Sequence, residues 1–472
     1  MYTDPQLAYL DGNRRMAVGD AIGAEECFWQ AIALLPEHAG ARANLGYLKE
    51  LRGDLLEAEF YYLQAIALLP DHAQLYQNLG VLLQKTRRFD ESEAAARMAL
   101  ELAPESPSAW SQLGVLLTCV KREQEAEACH RRALELDEDY PQAQFNLAYI
   151  LLRQGRYAEG WPLLESRWHF DSLAQPFNCP PWEGEPLAGK SVVIVSEAGQ
   201  GDMIHFSRYA TLLKDAGAAR VAVACPPSLR RLLAGLDGVD EVYVQQGAVP
   251  ASGWDFWTHP MRLPALFGTE LSNIPSSAPY IAADPESVRY WRGMLPRTGL
   301  RVGLAWKGNP QFENDAERSL PSLHTLSPLA DIDVHFVSLQ KGDAEAEALT
   351  PPAGMTLQAL APRLQDFADT AGVIANLDLV ISVDTAVAHL AGALGKPCWL
   401  LLPDHRCDWR WMTERNDTPW YPSMRLFRQP EGGGWAAVIA EVAAALRLKL
   451  NNTPETHAET RAETHAETRR AD

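Results

Sequence analysis

Two patterns of apolar residues divide this chain. Through the first third, small and apolar residues recur at helical spacing, and the pattern itself repeats. Asn44-Leu45-Gly46 returns as Asn78-Leu79-Gly80, Gln112-Leu113-Gly114 and Asn146-Leu147-Ala148, 34 residues apart each time. Ala31–Pro36 returns as Ala65–Pro70 and Ala99–Pro104, and Gly12 extends the register back by one unit. Gly or Ala at a fixed point lets the two helices of a pair approach closely, while Pro36, Pro70 and Pro104 close the second helix. No pair buries its apolar face alone, so the pairs stack. Beyond residue 190 the pattern changes to short apolar runs alternating with helical stretches: Ser191–Ser196, Arg220–Cys225, Glu241–Val244, Asp255–Thr258, Arg301–Trp306, Val334–Gln340, Leu379–Val383 and Cys398–Leu402. Such runs suit strands buried on both faces of a parallel sheet. The alternation restarts after Pro279–Arg292, which predicts two Rossmann-like halves.

The 34-residue period, with its Leu-Gly, small-residue and Pro positions, resembles the tetratricopeptide repeat. Four to five units over about residues 5–170 are expected, offering a concave groove for a peptide or partner protein, or serving as a spacer or dimerisation arm. The expected boundaries are a repeat domain at 1–170 and a Pro- and Gly-rich linker at 171–190 anchored by Trp182. Two α/β halves follow at 191–285 and 286–450, then a low-complexity, disordered tail at 451–472. Tyr157, Trp161 and Trp168 form an aromatic cluster at helical spacing. It reads as a docking cap toward the next domain, with sugar stacking as the lesser alternative.

Charge narrows the partners. The 472 residues carry a formal net charge of −19, which argues against nucleic acid, since phosphate contacts need clustered Lys and Arg. No apolar run has membrane-spanning length, and the N-terminus lacks the pattern of a secretory signal. Seven cysteines without a CxxC pair suit reduced thiols in a cytoplasmic protein.

Candidate chemistry sits at strand ends. After Leu379–Val383, Asp384-Thr385 stands where a helix should start, Ala386–Leu394 favours helix, and Gly395 with Pro397 ends it. A helix N-terminus at the carboxyl end of a parallel strand offers amides and partial positive charge to a diphosphate. Asp384 as a plain helix cap is the bland alternative. After Ser191–Ser196, Glu197-Ala198-Gly199-Gln200-Gly201-Asp202 forms a glycine-containing loop ahead of a helix over Met203–Ala216. It lacks the GxGxxG dinucleotide pattern. Asp202 there can take a proton from an attacking hydroxyl, or cap its helix. Lys307, Arg318 and Lys341, in loops after strands, can neutralise a diphosphate, or be solvated. The aromatics of 408–412 and 419–422 can wall a base or sugar, or pack the halves together. Asp331-Ile332-Asp333 precedes a strand and reads as chance, so no metal site is expected.

Together, SVDTAVAHLAGALGKP, the Glu197–Asp202 loop with Met203-Ile204-His205, and the DWRW…PWYP…RLFRQ run resemble bacterial tetratricopeptide proteins with a C-terminal domain of glycosyltransferase family 9, the family of the ADP-heptose:lipopolysaccharide heptosyltransferases. The resemblance implies a two-domain GT-B fold over about 190–445, with the acceptor on the first half and the nucleotide-sugar donor on the second. It implies that Asp202 is the general base, with Glu197, Gly199, Gly201 and His205 on the acceptor side. It gives Asp384, Thr385, Ala386, Val387 and His389 to donor binding, Lys307 as the catalytic cation and Arg318 as its second. The chain departs from the family at Ala386, where Gly is usual, and at Val387, where Ser is usual. The implied reaction is an inverting, metal-independent sugar transfer needing no cofactor beyond the nucleotide-diphosphate sugar, onto a protein or glycan acceptor recruited by the repeats. A non-catalytic repeat scaffold with a degenerate transferase domain is the alternative that Ala386 and Val387 favour. A protein O-GlcNAc transferase-like enzyme is a third.

Overall fold

The repeats fold as four antiparallel helix pairs followed by two further helices in a computed structural model that describes residues 2–169, 177–245, 249–275, 279–312 and 314–452. The pairs are Pro5–Ala17 with Ala21–Leu34, Ala39–Arg52 with Leu55–Leu68, Ala73–Lys85 with Phe89–Leu102, and Pro107–Cys119 with Glu123–Leu136; helices Pro141–Arg153 and Tyr157–Leu164 follow in sequence. Asp4, Asp20 and Ser106 cap helix N-termini through their side chains. The repeated glycine is a packing device. A Cβ at Gly12, Gly46 or Gly114 would lie 2.5, 2.8 or 2.6 Å from the ring of Phe28, Tyr62 or His130, the residue sixteen further on in each unit. In the third unit that residue is Ala96, and a Cβ at Gly80 would meet nothing nearer than 3.6 Å.

The same substitution should therefore have opposite effects in neighbouring repeats. Gly80→Ala is expected to stabilise by up to about 1 kcal/mol through helix propensity. Gly46→Ala should cost about 1–3 kcal/mol, because Tyr62 is fully buried and its hydroxyl is held by Glu50 at 2.8 Å, so the ring cannot yield. Urea unfolding of the two full-length variants checks this; equal shifts would refute the packing account.

The α/β part has two wholly parallel sheets. The first contains β1 (Ser191–Val195), β2 (Arg220–Cys225), β3 (Glu241–Val244) and β4 (Phe256–Thr258) in the order β3-β2-β1-β4. The second contains β5 (Arg301–Ala305), β6 (His335–Ser338), β7 (Leu357–Ala359), β8 (Leu379–Val383), β9 (Cys398–Leu402) and β10 (Met424–Arg428) in the order β10-β9-β8-β5-β6-β7. These are two Rossmann-like halves of the GT-B type. The strand order reverses between β1 and β4 in one sheet and between β5 and β8 in the other. Such switch points open crevices at the carboxyl ends of strands. Helix Trp435–Asn452 closes the second half by burying Val438, Ile439 and Val442 against the core that includes Val302, Leu304 and Ile381.

Three local expectations need correction. The helix after β1 starts at Gln200, not Met203, and a 3-10 turn at Ser207–Tyr209 separates it from Ala210–Asp215. Strand β7 carries no apolar run to betray it. The chain also divides into compact units at an unexpected place: Met1–Leu151 with Pro162–Ser172 form one, and Leu152–Trp161 with Leu173–Asp472 form the other. Most of helix Tyr157–Leu164 thus belongs with the α/β halves. There Tyr157 and Trp161 are buried against Trp409 and Trp420, with ring centroids 5.3–6.4 Å apart and Trp420 Nε1 donating to the Tyr157 hydroxyl at 2.9 Å. This is packing, which leaves no face for a sugar. Trp182 anchors the linker as expected, with its backbone N–H on Trp257 O and its indole on Glu185 O. The expected tail disorder concerns residues outside the described ones, apart from Asn451 and Asn452.

Candidate active site

Asp202 lies on the first turn of helix Gln200–Phe206, just past the end of β1. Its Oδ2 accepts the Gly199 N–H at 2.9 Å, so it caps backward from inside the helix. Its Oδ1 accepts from Arg410 at 2.5 Å. The turn into this helix is strained, since Ala198 adopts φ +54° without being glycine. Burial pushes the Asp202 carboxyl above its ordinary range, and the Arg410 guanidinium works against that shift.

Asp384 follows β8, and Thr385 is the N-cap of helix Ala386–Ala393. Residues 384–387 are half-buried between fully buried neighbours on both sides, so this helix start faces an opening. Asp384 Oδ2 accepts the Trp411 indole N–H at 2.8 Å, and His389 Nε2 lies 3.9 Å from Oδ1. Burial first, then the Asp408 charge, pushes the Asp384 carboxyl up to about 6.

The two helix starts come together because residue 201 is glycine. A Cβ on Gly201 would stand 2.8 Å from His389 Cδ2 and 3.5 Å from the Ala386 backbone. Behind this contact the Tyr421 hydroxyl bridges His205 Nδ1 at 2.8 Å and His389 Nδ1 at 2.9 Å. A hydroxyl has one proton, so at most one ring can accept from it and at least one must donate to it. Both imidazoles are buried, and desolvation, aided by Arg208 and Arg410, holds their pKa values well below the usual histidine range. Arg208 fastens the halves again, donating to His205 O, Trp420 O and the Tyr280 hydroxyl.

One short loop ties the two aspartates. Asp408 holds Arg410 Nη1 at 3.0 and 3.1 Å, Arg410 Nη2 reaches Asp202, and Trp411 reaches Asp384. Adjacent residues of one loop thereby address aspartates from different halves. The Arg410 side chain is 4% exposed and packs over Phe206 and Trp409.

The expected site residues part company here. Asp202, Gly199 and Gly201 meet Asp384–Val387 and His389 at one place. Arg318 lies near enough for its charge to act on Asp384; its Nε pairs with Asp315 at 3.2 Å and its guanidinium lies over the Phe312 ring. Glu197 is buried and accepts the Met261 N–H, which supports the loop after β4. Other expected residues have different partners. Lys307 Nζ is drawn to Glu347 at 2.9 Å, and Arg410 supplies the cation beside Asp202. His205 is fully buried on Tyr421 and ties the halves rather than facing an acceptor. Lys341 is likewise turned away, onto Ala361 O and Glu345. Trp409, Trp411, Trp420 and Tyr421 have no exposed surface, so the aromatic run packs the halves and walls no ligand. Asp331 pairs with Arg447, and among the described residues no group of three or more His, Cys, Asp or Glu is placed to hold a metal.

Comparison with known proteins bears on this geometry. Residues 330–401, which include β8 and the Asp384–His389 turn, match the model of glycosyltransferase family 9 (heptosyltransferase). The α/β unit carries a glycosyltransferase family 9 domain. The helical repeats match tetratricopeptide models at residues 73–106 and 122–165. The chain is also similar to protein FlbA of Caulobacter vibrioides, 32% identical over 336 residues, which are 64% of this chain and 54% of FlbA. It thus spans about half the length of that curated relative. Among solved structures, PilF of Pseudomonas aeruginosa aligns with 34% of this chain and 75% of its own at 20% identity and a TM-score of 0.33. MamA of Desulfovibrio magneticus RS-1 aligns with 35% and 97% at 15% identity and 0.32. Among the described residues no helix of this chain is long and apolar enough to cross a membrane.

Proposed function

We propose that this chain is an inverting glycosyltransferase that takes a sugar from a nucleotide-diphosphate sugar to a hydroxyl of a protein or glycan acceptor. The observation carrying this reading is the Asp408–Trp411 loop, which sets Asp202 and the Asp384 helix start against one another at the switch points of two parallel sheets. Asp202 takes the proton of the acceptor hydroxyl as its oxygen bonds the anomeric carbon. The bond from that carbon to the diphosphate breaks on the opposite face, and its electron pair leaves with the phosphate oxygen. The helix amides at Thr385–Val387, with Arg318 and Arg410, meet the charge that develops there. Charge compensation therefore comes from the chain itself, and the reaction is proposed as metal-independent. The repeats recruit the acceptor or a partner.

Asp384 gives this reading a test with two signs. Its carboxyl titrates near 6 in the fold against 3.8 as its ordinary value. Between those values the folded protein keeps a proton that the unfolded chain has lost, so stability falls as pH rises through the window. Asp384→Asn should thus stabilise the unliganded protein above pH 6 by up to about 3 kcal/mol, and by nothing below pH 4. The same variant should lose its response to donor. Thermal melts and calorimetry against ADP-, UDP-, GDP- and dTDP-sugars are expected to show one nucleotide sugar that binds wild type and not Asp384→Asn. No binding by any of them at millimolar concentration would leave the scaffold reading in its place.

A further inference from the structure

The second helices of the repeats share one register, and the solvent-facing positions change character along the array. The position held by Ile22 and Leu56 in the first two units is Asp90 and Gln124 in the next two; that of Trp29 and Leu63 becomes Arg97 and Arg131. All eight are exposed. Ile22, Trp29, Leu56, Phe60 and Leu63 are 72, 43, 85, 55 and 49% exposed. Trp29 meets Tyr61 edge-on at 5.8 Å and Tyr61 meets Phe60 at 5.3 Å, which joins the two helices into one apolar face. Later units cover the same face with ion pairs, Arg97 to Glu93 and Arg131 to Glu127. The fold has no need of apolar side chains here, since the later repeats form the same helices without them.

We propose that this face of the first two repeats is a docking surface for a basic amphipathic helix of a partner protein. The apolar positions, 22 and 29 on one helix and 56, 60 and 63 on the next, fall at the i, i+4 and i+7 spacing of a helix-packing ridge, with Glu26 in the i+4 place of the first. Charge selects the occupant. Glu26 sits within the first row, and Asp54 opens the second helix, both exposed. The nearby cations Lys49 and Arg52 are taken up by Glu25 and Glu57. A helix flanked by Lys and Arg meets this acidic rim favourably. A second copy of the same face would bring like charges together.

The test uses the full-length protein and two synthetic helices, one of leucine and lysine and one of leucine and glutamate, followed by fluorescence anisotropy. The leucine–lysine helix should bind. Leu56→Ser with Phe60→Ser should weaken it at least tenfold with an unchanged melting temperature and unchanged net charge, and Ile22→Ser with Leu63→Ser should do the same. Ala94→Ser with Met98→Ser, in the third repeat, should leave binding unaltered. Equal affinity across these variants would show attraction by overall charge alone and overturn the proposal, as would equal binding of the leucine–glutamate helix. A wild-type dimer in sedimentation that the Leu56/Phe60 variant dissolves would also overturn it, by giving the face to a second copy.

Discussion

Asp202→Asn is expected to lower sugar transfer by about 10²–10⁴-fold, the usual worth of a positioned base, while nucleotide-sugar affinity stays within about twofold of wild type. The substitution removes the proposed proton acceptor and keeps the shape of the side chain. Its amide oxygen can still accept from Arg410, but the amide nitrogen cannot accept from Gly199, so a modest fall in melting temperature should accompany the lost turnover. Donor contacts are proposed at Asp384–Val387, on the other half, so binding is spared. Single-turnover rates and calorimetry on one preparation separate the two effects. A variant that transfers sugar at the wild-type rate would place the base elsewhere.

Arg410→Gln should be among the most destabilising single changes in the α/β unit, at about 3–5 kcal/mol, the cost of stripping one partner from a buried ion pair. Arg410 stands between two carboxylates, Asp202 and Asp408, and is almost wholly out of solvent. Without it those carboxylates face each other uncompensated. The loss should shrink as pH falls, because protonating Asp202 removes the charge that lacks a partner. Adding Asp202→Asn should recover part of it, so the double variant falls short of the sum of the singles by about 0.5–3 kcal/mol. Urea titrations at acid and neutral pH measure both effects. Strict additivity would mean that the Arg410–Asp202 contact contributes nothing.

Much of the fold was legible because the two patterns have different causes. A 34-residue repeat states its helix pairs outright, and β8 with its Asp-Thr start is a local arrangement that the sequence spells in order. The tertiary assignments were less readable. Lys307 follows its strand as a catalytic cation would, but Glu347, forty residues on, claims it. His205 falls one helical turn after Asp202, where spacing cannot say whether a ring faces the crevice or the core. Tyr421 decides that, from the other half of the protein. Arg410 lay inside a run whose four aromatics drew attention to packing, and its partner Asp202 is two hundred residues away. The signal was present in the alternation Asp408-Trp409-Arg410-Trp411, charged and aromatic by turns, which a purely structural plug has no reason to show.

The placement of Leu152–Trp161 bears on how such a protein can be cut and recombined. A shortened chain beginning at the first α/β strand would lose Tyr157 and Trp161, and would present the bare rings of Trp409 and Trp420 to water, on either side of the loop that holds both aspartates. The smallest transferable α/β module therefore includes a helix that its repeat pattern assigns to the neighbouring domain. Gene fusions that exchange repeat arrays should join upstream of Leu152. Chimeras spliced in the proline-rich stretch before β1 should yield insoluble or inert product however well the new array folds.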